Sequence, residues 1–324
     1  MAFQLTCLSH GPALAAPDPP PKAHQQVLAA YQARAQALQD FDPQLIVMFA
    51  PDHYTNVHLN LVPPFCVGLA CEAVADFGGY EGRFDVPIDI AGACIETLRD
   101  GGVDVAASHA MIVDHGFSQP LHTLAGELDR YPVLPVFINT TCGPHSPFHR
   151  VRALGEAVGR FAAGLGLDRV AFVASGGLSH HPANIFPQDL AGAPPELSEY
   201  LTFGGSRGGM TQAGWIDALA EATKLGSRRV QEGRMTISDF RINPAWDQAF
   251  LSLFKAGDLT VFDRWRPSDV IAEAGVAAME VQQWIAAAAA ARTAGVGETV
   301  IDLQVAAVEY RIGVGVAHAD PLAS

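Results

Sequence analysis

Positive charge is scarce in this chain: 20 Lys and Arg stand against 34 Asp and Glu, a formal net charge of −14. A surface that tracks nucleic-acid phosphates needs clustered Lys and Arg, so no nucleic-acid partner is expected. Cysteine is sparse as well. The five present (Cys7, Cys66, Cys71, Cys94, Cys142) are odd in number and none stands in a C-x-x-C pair. That leaves neither a disulfide framework nor a zinc knuckle, and the cytoplasm is the expected compartment.

Long apolar runs are missing too. The alanines from Ala286 to Ala291 are soon closed by Arg292, well short of the ~20 residues that cross a bilayer. The ALAAP stretch from Ala13 to Pro17 follows no Lys or Arg and Ser9-His10 interrupts the apolar run before it, which is unlike a secretory leader. No membrane partner is expected. A serine hydrolase is disfavoured because Gly176-Gly177-Leu178-Ser179-His180 lacks the G-x-S-x-G spacing of a nucleophile elbow.

What is present is apolar material: 49% of 324 residues are hydrophobic, enough to bury a sheet on both faces. Strands are expected at Phe3–Leu8, Leu45–Ala50, Val103–Ala107, Val133–Asn139 and Val170–Ser175, each a short apolar run bounded by turn signals. Helices are expected between them at Lys22–Leu38, Ile88–Asp100 and Val151–Leu165. After His181, Pro182–Gly209 reads as a surface excursion rich in Pro, Gly and Ser. Helices then follow at Trp215–Glu232, Trp246–Ala256 and Val270–Thr293, the last interrupted by Gly275. Alternation of strand and helix predicts an α/β fold. The expectation is a single catalytic domain over residues 1–324, with a mostly parallel central sheet covered by helices and a helical C-terminal third.

The chemistry gathers at strand ends. Phe3–Leu8 runs into Ser9-His10-Gly11-Pro12, and Leu45–Ala50 into Pro51-Asp52-His53-Tyr54. With one helix between them these two strands read as neighbours, and a right-handed crossover puts both C-termini on one sheet edge, where open α/β folds hold ligands. The third strand leads to Asp114-His115-Gly116 and the fifth to the run ending in His180. Four imidazoles on one rim suggest a divalent metal. Two His plus a carboxylate is the usual non-haem iron(II) arrangement, and the other two His suit acid and base roles because an imidazole titrates near pH ~6.5.

The motifs LSHGP, FAPDHY, PPFCVG, VDHGF, QPL, PVFIN, SGGLSH and NPAWD occur in that order. Together, over about residues 1 to 285, they resemble the class III extradiol ring-cleavage dioxygenases of the protocatechuate 4,5-dioxygenase superfamily. The resemblance implies one Fe(2+) held by His10, His53 and a late glutamate in an AG-x4-E-x3-W context. Ala274-Gly275, Glu280 and Trp284 match that context, which nominates Glu280, with Glu273 as the fallback. It further implies His115 as proton donor and His180 as base.

The implied substrates are a catechol and O2, with both oxygen atoms inserted beside the diol. A 3-substituted catechol is expected, 3-(2,3-dihydroxyphenyl)propionate or 2,3-dihydroxycinnamate first, opened by a homo-oligomer in aromatic-compound catabolism. Leu190–Thr211 and the residues from Gly295 onward depart from the family's pattern.

Asp52 and Asp114, each directly before a rim His, read either as partners that orient imidazoles or as turn caps. His58, His109 and His181 read as ordinary polar residues, and Asn243, Trp246 and Asp247 as structural. Two other readings stay open: a zinc hydrolase using the same His cluster, and a non-enzymatic metal-binding scaffold on the same fold.

Overall fold

The computed structural model describes residues 1–14, 22–182 and 190–322. The first half of the chain contains β1 (Ala2–Leu8), α1 (His24–Phe41), β2 (Leu45–Ala50), β3 (Phe65–Gly68), β4 (Cys71–Ala73), β5 (Gly82–Arg83), α2 (Ile88–Asp100), β6 (Ala106–Ser108), β7 (Met111–Val113), α3 (His115–Ala125) and β8 (Val133–Ile138). The second half contains α4 (Phe148–Gly164), β9 (Arg169–Ser175), α5 (Pro195–Phe203), α6 (Gln212–Gln231), α7 (Pro244–Ala256), α8 (Pro267–Ala274), α9 (Val281–Ala294), β10 (Val300–Ala307) and β11 (Ile312–Ala319).

The central sheet has the order β10-β11-β1-β9-β2-β8-β3-β6. Its middle strands β1, β9, β2 and β8 are mutually parallel and buried on both faces, mostly by apolar residues, as a covered parallel sheet requires. Leu45, Val47 and Phe49 of β2 join the core beneath α4 and α9, while Ile46, Met48 and Ala50 join the core beneath α1 and α3. The strand period of two divides the run between two layers.

The expected neighbours β1 and β2 are separated by β9. Leu8 pairs with Ser175 on one side and Phe49 with Ala174 on the other. Because β9 is parallel to both, His10 and His53 still leave the sheet on the same edge. A crossover helix spans one intervening strand as readily as none, so two strand-end motifs cannot reveal the gap.

Two further boundaries differ, and the break expected at Gly275 is present. His115 does not follow a strand of the central sheet: Val103 and Val105 are buried in the core, but β6 starts at Ala106, and His115 follows β7 in a small sheet of order β5-β4-β7. The expected helix at Val270–Thr293 is divided where Gly275 takes φ +93, giving α8, a tight turn at Val276–Glu280 and then α9. The C-terminal third is helical through Ala294 and then adds β11, antiparallel to β1, and β10, antiparallel to β11 at the sheet edge. Gly313 and Gly315 within β11 weaken its strand signal in the sequence.

In the stretch from Pro182 to Gly209, the described part carries α5 rather than open loop. Residues 183–189, and residues 15–17 of ALAAP, lie outside the described residues. The alanines Ala286 to Ala291 are buried in α9, which packs on α4 and the sheet, where small side chains permit close approach. No helix among the described residues is long and apolar enough to cross a membrane.

Candidate active site

The rim of the sheet gathers His10, His53, His115 and Glu280, all buried. His10 Nε2 lies 3.4 Å from His53 Nε2. Glu280 closes the triangle, with Oε1 3.3 Å from His53 Nε2 and Oε2 3.7 Å from His10 Nε2. The carboxylate is held in turn by the Gly177 N–H, which donates to Oε2 at 2.6 Å. Gly176 is needed for this approach: a Cβ there would stand 2.7 Å from the Glu280 carbonyl oxygen. Gly176 therefore serves close packing on Glu280 and Gly177 close packing on Ile312 and His180, and neither serves a left-handed turn.

The hydrogen-bond network settles both tautomers. The Ser175 hydroxyl has one hydrogen and gives it to the Gly116 carbonyl at 2.5 Å, so at the 2.6 Å contact with His10 it must accept from Nδ1–H. His53 Nδ1 faces the Asp114 oxygens at 3.2 Å and is likewise the donor. In the neutral rings each Nε2 is left with a lone pair aimed at the other and at Glu280. Three electron-pair donors facing one another across 3.3–3.7 Å repel unless a cation lies between them.

The surrounding acids likewise favour positive charge at this spot, which a proton on His53 supplies in the absence of another cation. Burial pushes His10 down to about 3, with His53 and His115 adding to the effect and Glu280 opposing it. Burial also works against a proton on His53, yet Asp114 on one side and Glu280 on the other pull its pKa well above the ordinary value. Glu280 is held at about 2 against the effect of burial by His10, His53 and His180. The pocket holds two acids ready to balance positive charge. Its set of two imidazoles and a carboxylate fits iron(II).

Asp114 performs both tasks open to it in the sequence. It orients His53, accepts from the His53 N–H at 2.7 Å, and caps α3 by accepting from the Gly116 N–H at 2.8 Å. Asp52 only caps the following turn, accepting from the N–H groups of Thr55, Asn56 and Val57. Burial and the neighbouring Asp114 push its carboxyl up to about 7.

The His115 ring stacks on that of His53, with centroids 4.4 Å apart. His10, His53 and His115 each offer a ring nitrogen within 4.8 Å of one another, but His115 Nδ1 is paired with the buried Asp76. Asp114 and Asp76 form a second potential cation group with His115, in which both acids already serve as imidazole partners.

His180 stands in the wall of the same cavity. Its Nδ1–H donates to the Leu178 carbonyl at 2.9 Å, so Nε2 is an acceptor. Burial lowers its pKa, which favours the neutral ring. Its loop is clamped by Asp247, which accepts from the Ser179 N–H at 2.8 Å and hydroxyl at 2.9 Å.

The cavity measures about 280 Å³. His10, His53, His115, His180 and Glu280 form one end, and α6 together with the start of β11 walls the rest. α6 also steadies the metal end, since the Trp215 indole N–H donates to the His53 carbonyl at 3.1 Å.

Glu273 is exposed and takes no part. His181 lines the cavity and accepts from the Val276 N–H at 3.2 Å. His58 packs edge-on against Tyr200, and His109 is exposed. Asn243 caps α7.

Residues 4–315 match the family model described as the catalytic LigB subunit of aromatic ring-opening dioxygenase. The chain belongs to the LigB family. Relatives include a protein of Paraburkholderia xenovorans, 40% identical over 323 residues, 100% of this chain and 99% of that one. A second, from Mycolicibacterium gilvum, is 42% identical over 291 residues, 90% of this chain and 89% of its own length. Both are named 2,3-dihydroxyphenylpropionate/2,3-dihydroxicinnamic acid 1,2-dioxygenase.

As a LigB-family member the chain is an aromatic ring-opening oxygenase. The likeness does not stop near residue 285, as the motifs alone suggest, but runs through β10 into β11. Three site partners escaped the sequence reading. Asp76 and Ser175 lie outside its site assignments, and Gln119, in the QPL motif, carries no charge. Gln119 accepts from the Gly11 N–H at 2.8 Å and donates to the Gly78 carbonyl at 3.0 Å, tying the His10 loop to the loop that carries Asp76.

Proposed function

We propose that the protein is an iron(II)-dependent extradiol dioxygenase that opens 3-(2,3-dihydroxyphenyl)propionate or its cinnamate analogue beside the diol, with residues 1–324 acting as one catalytic domain in the cytoplasm. The observation that carries this reading is the convergence of three electron-pair donors, His10 Nε2, His53 Nε2 and Glu280, whose other hydrogen-bonding positions are already taken. The names of full-length relatives support the substrate. The five unpaired cysteines support the compartment.

His10, His53 and Glu280 would hold the iron. When bound, iron(II) supplies a shared point at which catechol and O2 are brought together and electrons pass between them. His180 acts as base: its Nε2 is an acceptor, and the lowered pKa keeps it free to take a catechol hydroxyl proton at neutral pH. His115 holds and returns a proton during ring opening, with Asp76 fixing Nδ1 so that Nε2 is the working atom. Asp114, Ser175 and Asp247 keep these rings in place.

Iron(II) is added to the protein under argon, then air and a panel of catechols, and absorbance is followed for the yellow ring-fission product. Cleavage of the propionate substrate ahead of unsubstituted catechol and protocatechuate is expected. No ring opening of any catechol by iron-loaded protein would overturn the reading.

A further inference from the structure

Arg311 reaches the active-site cavity from the turn before β11. Among the described residues no carboxylate lies within ion-pair distance of its guanidinium, and its buried Nε has no hydrogen-bond partner. In a chain with 34 acids and 20 Lys and Arg a partly buried cation with no acidic partner among the described residues is conspicuous, because desolvating one without a partner is costly. Burial pushes its pKa down only to about 10, so it stays charged at neutral pH. The Phe240 ring lies 5.9 Å from the guanidinium carbon.

Two further features show that the fold is shaped around this side chain. Arg311 takes φ +60, a left-handed conformation that Gly or Asn adopts at lower cost, so the backbone alone does not call for arginine. Opposite it on α6 stands Gly226, where a Cβ would lie 2.8 Å from both Arg311 Cδ and Nη1. A larger residue there would push the arginine side chain aside.

The turn is tied to the catalytic end. Leu178 N–H donates to the Gly313 carbonyl at 2.9 Å, and Gly313 N–H to the Ser179 carbonyl at 3.0 Å. Ile312 lies against Gly177, whose N–H holds Glu280. The guanidinium is therefore fixed relative to the loop of His180. Arg229, the other cation of the cavity lining, is exposed on α6 and lacks such a mounting.

We propose that Arg311 is the specificity-determining residue of this site, taking the carboxylate of the catechol's side chain as the counter-ion it otherwise lacks. This rests on the ring-opening reading above and adds the residue that would hold the anionic arm at position 3 of the catechol. A guanidinium offers a carboxylate two parallel N–H donors, which is the geometry that makes such pairs selective.

The test compares kcat/KM for 3-(2,3-dihydroxyphenyl)propionate with that for 3-propylcatechol, which has a neutral arm. In Arg311→Gln the ratio of the two should fall on the order of 100-fold, the usual worth of a charge-assisted hydrogen bond, and in Arg311→Lys it should fall less. A fall under tenfold in Arg311→Gln overturns the proposal, as does an equal fall in Arg229→Gln.

Binding of 3-phenylpropionate gives a second reading. It has no hydroxyls and needs no metal, so it is titrated calorimetrically into the full-length wild-type protein as isolated. It should bind at least tenfold more tightly than neutral 3-phenylpropanamide, and equal affinities overturn the proposal even where a variant does not fold. Wild-type, iron-loaded protein that opens neither catechol defeats the ring-cleavage reading instead, and calorimetry of 3-phenylpropionate with Arg311→Gln beside Arg229→Gln then decides Arg311: only the first should lose the preference for the carboxylate over the amide.

Discussion

Ser175 fixes the tautomer of His10. Its hydroxyl accepts from His10 Nδ1–H at 2.6 Å only because its own hydrogen is committed to the Gly116 carbonyl at 2.5 Å. Ser175→Ala leaves Nδ1–H buried without a partner and frees the ring to take the other tautomer, which would put a hydrogen where the metal belongs. Iron(II) affinity should drop about 10- to 100-fold, the usual effect of removing such a partner. Competition with a chelator of known affinity measures it, and an affinity within threefold of wild type would show that the serine does not set the tautomer.

Glu280→Gln tests the anionic corner of the triangle. The amide keeps the size of the side chain but places a neutral group 3.3 Å from His53 Nε2. Metal content and turnover should be lost together. If the variant, reconstituted under argon, holds one iron per chain and still opens catechols, Glu280 is not a ligand.

His115→Gln and His180→Gln should separate from the ligand variants. Both should retain iron, because neither ring belongs to the triangle, yet kcat should fall on the order of 10²-fold or more, the typical contribution of general acid–base catalysis. Asp76→Asn should follow His115→Gln with a smaller loss in kcat, since it removes the charge behind His115 Nδ1 and not the ring. Iron analysis beside steady-state kinetics distinguishes the cases: loss of metal in either His variant would make that residue a ligand.

Legibility of this site in the sequence follows from how local each signal is. A strand of six buried apolar residues that ends in Pro-Asp-His is read without a structure, so β2 and its His53 are located to the residue. Glu280 has no local signal. It sits where a tight turn passes into α9, and only the wider Ala-Gly, Glu, Trp spacing nominates it. In the fold that spacing has a cause, because Gly275 opens the turn and the Trp284 indole N–H donates to the Gly176 carbonyl at 3.1 Å, bringing the glutamate under the Gly176-Gly177 loop.

Asp76 is the opposite case. It meets His115 across 39 positions of sequence, a distance over which periodicity carries no information. The insertion of β9 between β1 and β2 and the late pairing of β11 with β1 are likewise set by long-range contacts. Arg311 belongs with these, since nothing around it in the sequence indicates that its turn folds back onto α6.

Asp247 links the His180 loop to pH. Its carboxyl accepts from the Ser179 N–H and hydroxyl, and burial, outweighing those two donors, raises its pKa from 3.8 to about 6. Between those values the folded chain keeps a proton that the unfolded chain has released, so this group's contribution to stability falls as pH rises through the window and levels off above it. Asn cannot titrate there. Relative to Asp247→Asn, the wild type should therefore lose about 1 kcal/mol of unfolding free energy between pH 5 and pH 7, whatever constant offset the lost hydrogen bond adds. Urea titrations of both proteins at the two pH values measure the difference. A gap that stays constant, or that widens in favour of the wild type with rising pH, would mean that Asp247 is already ionised at pH 5, and that the clamp on Ser179 is a charged one throughout the working range.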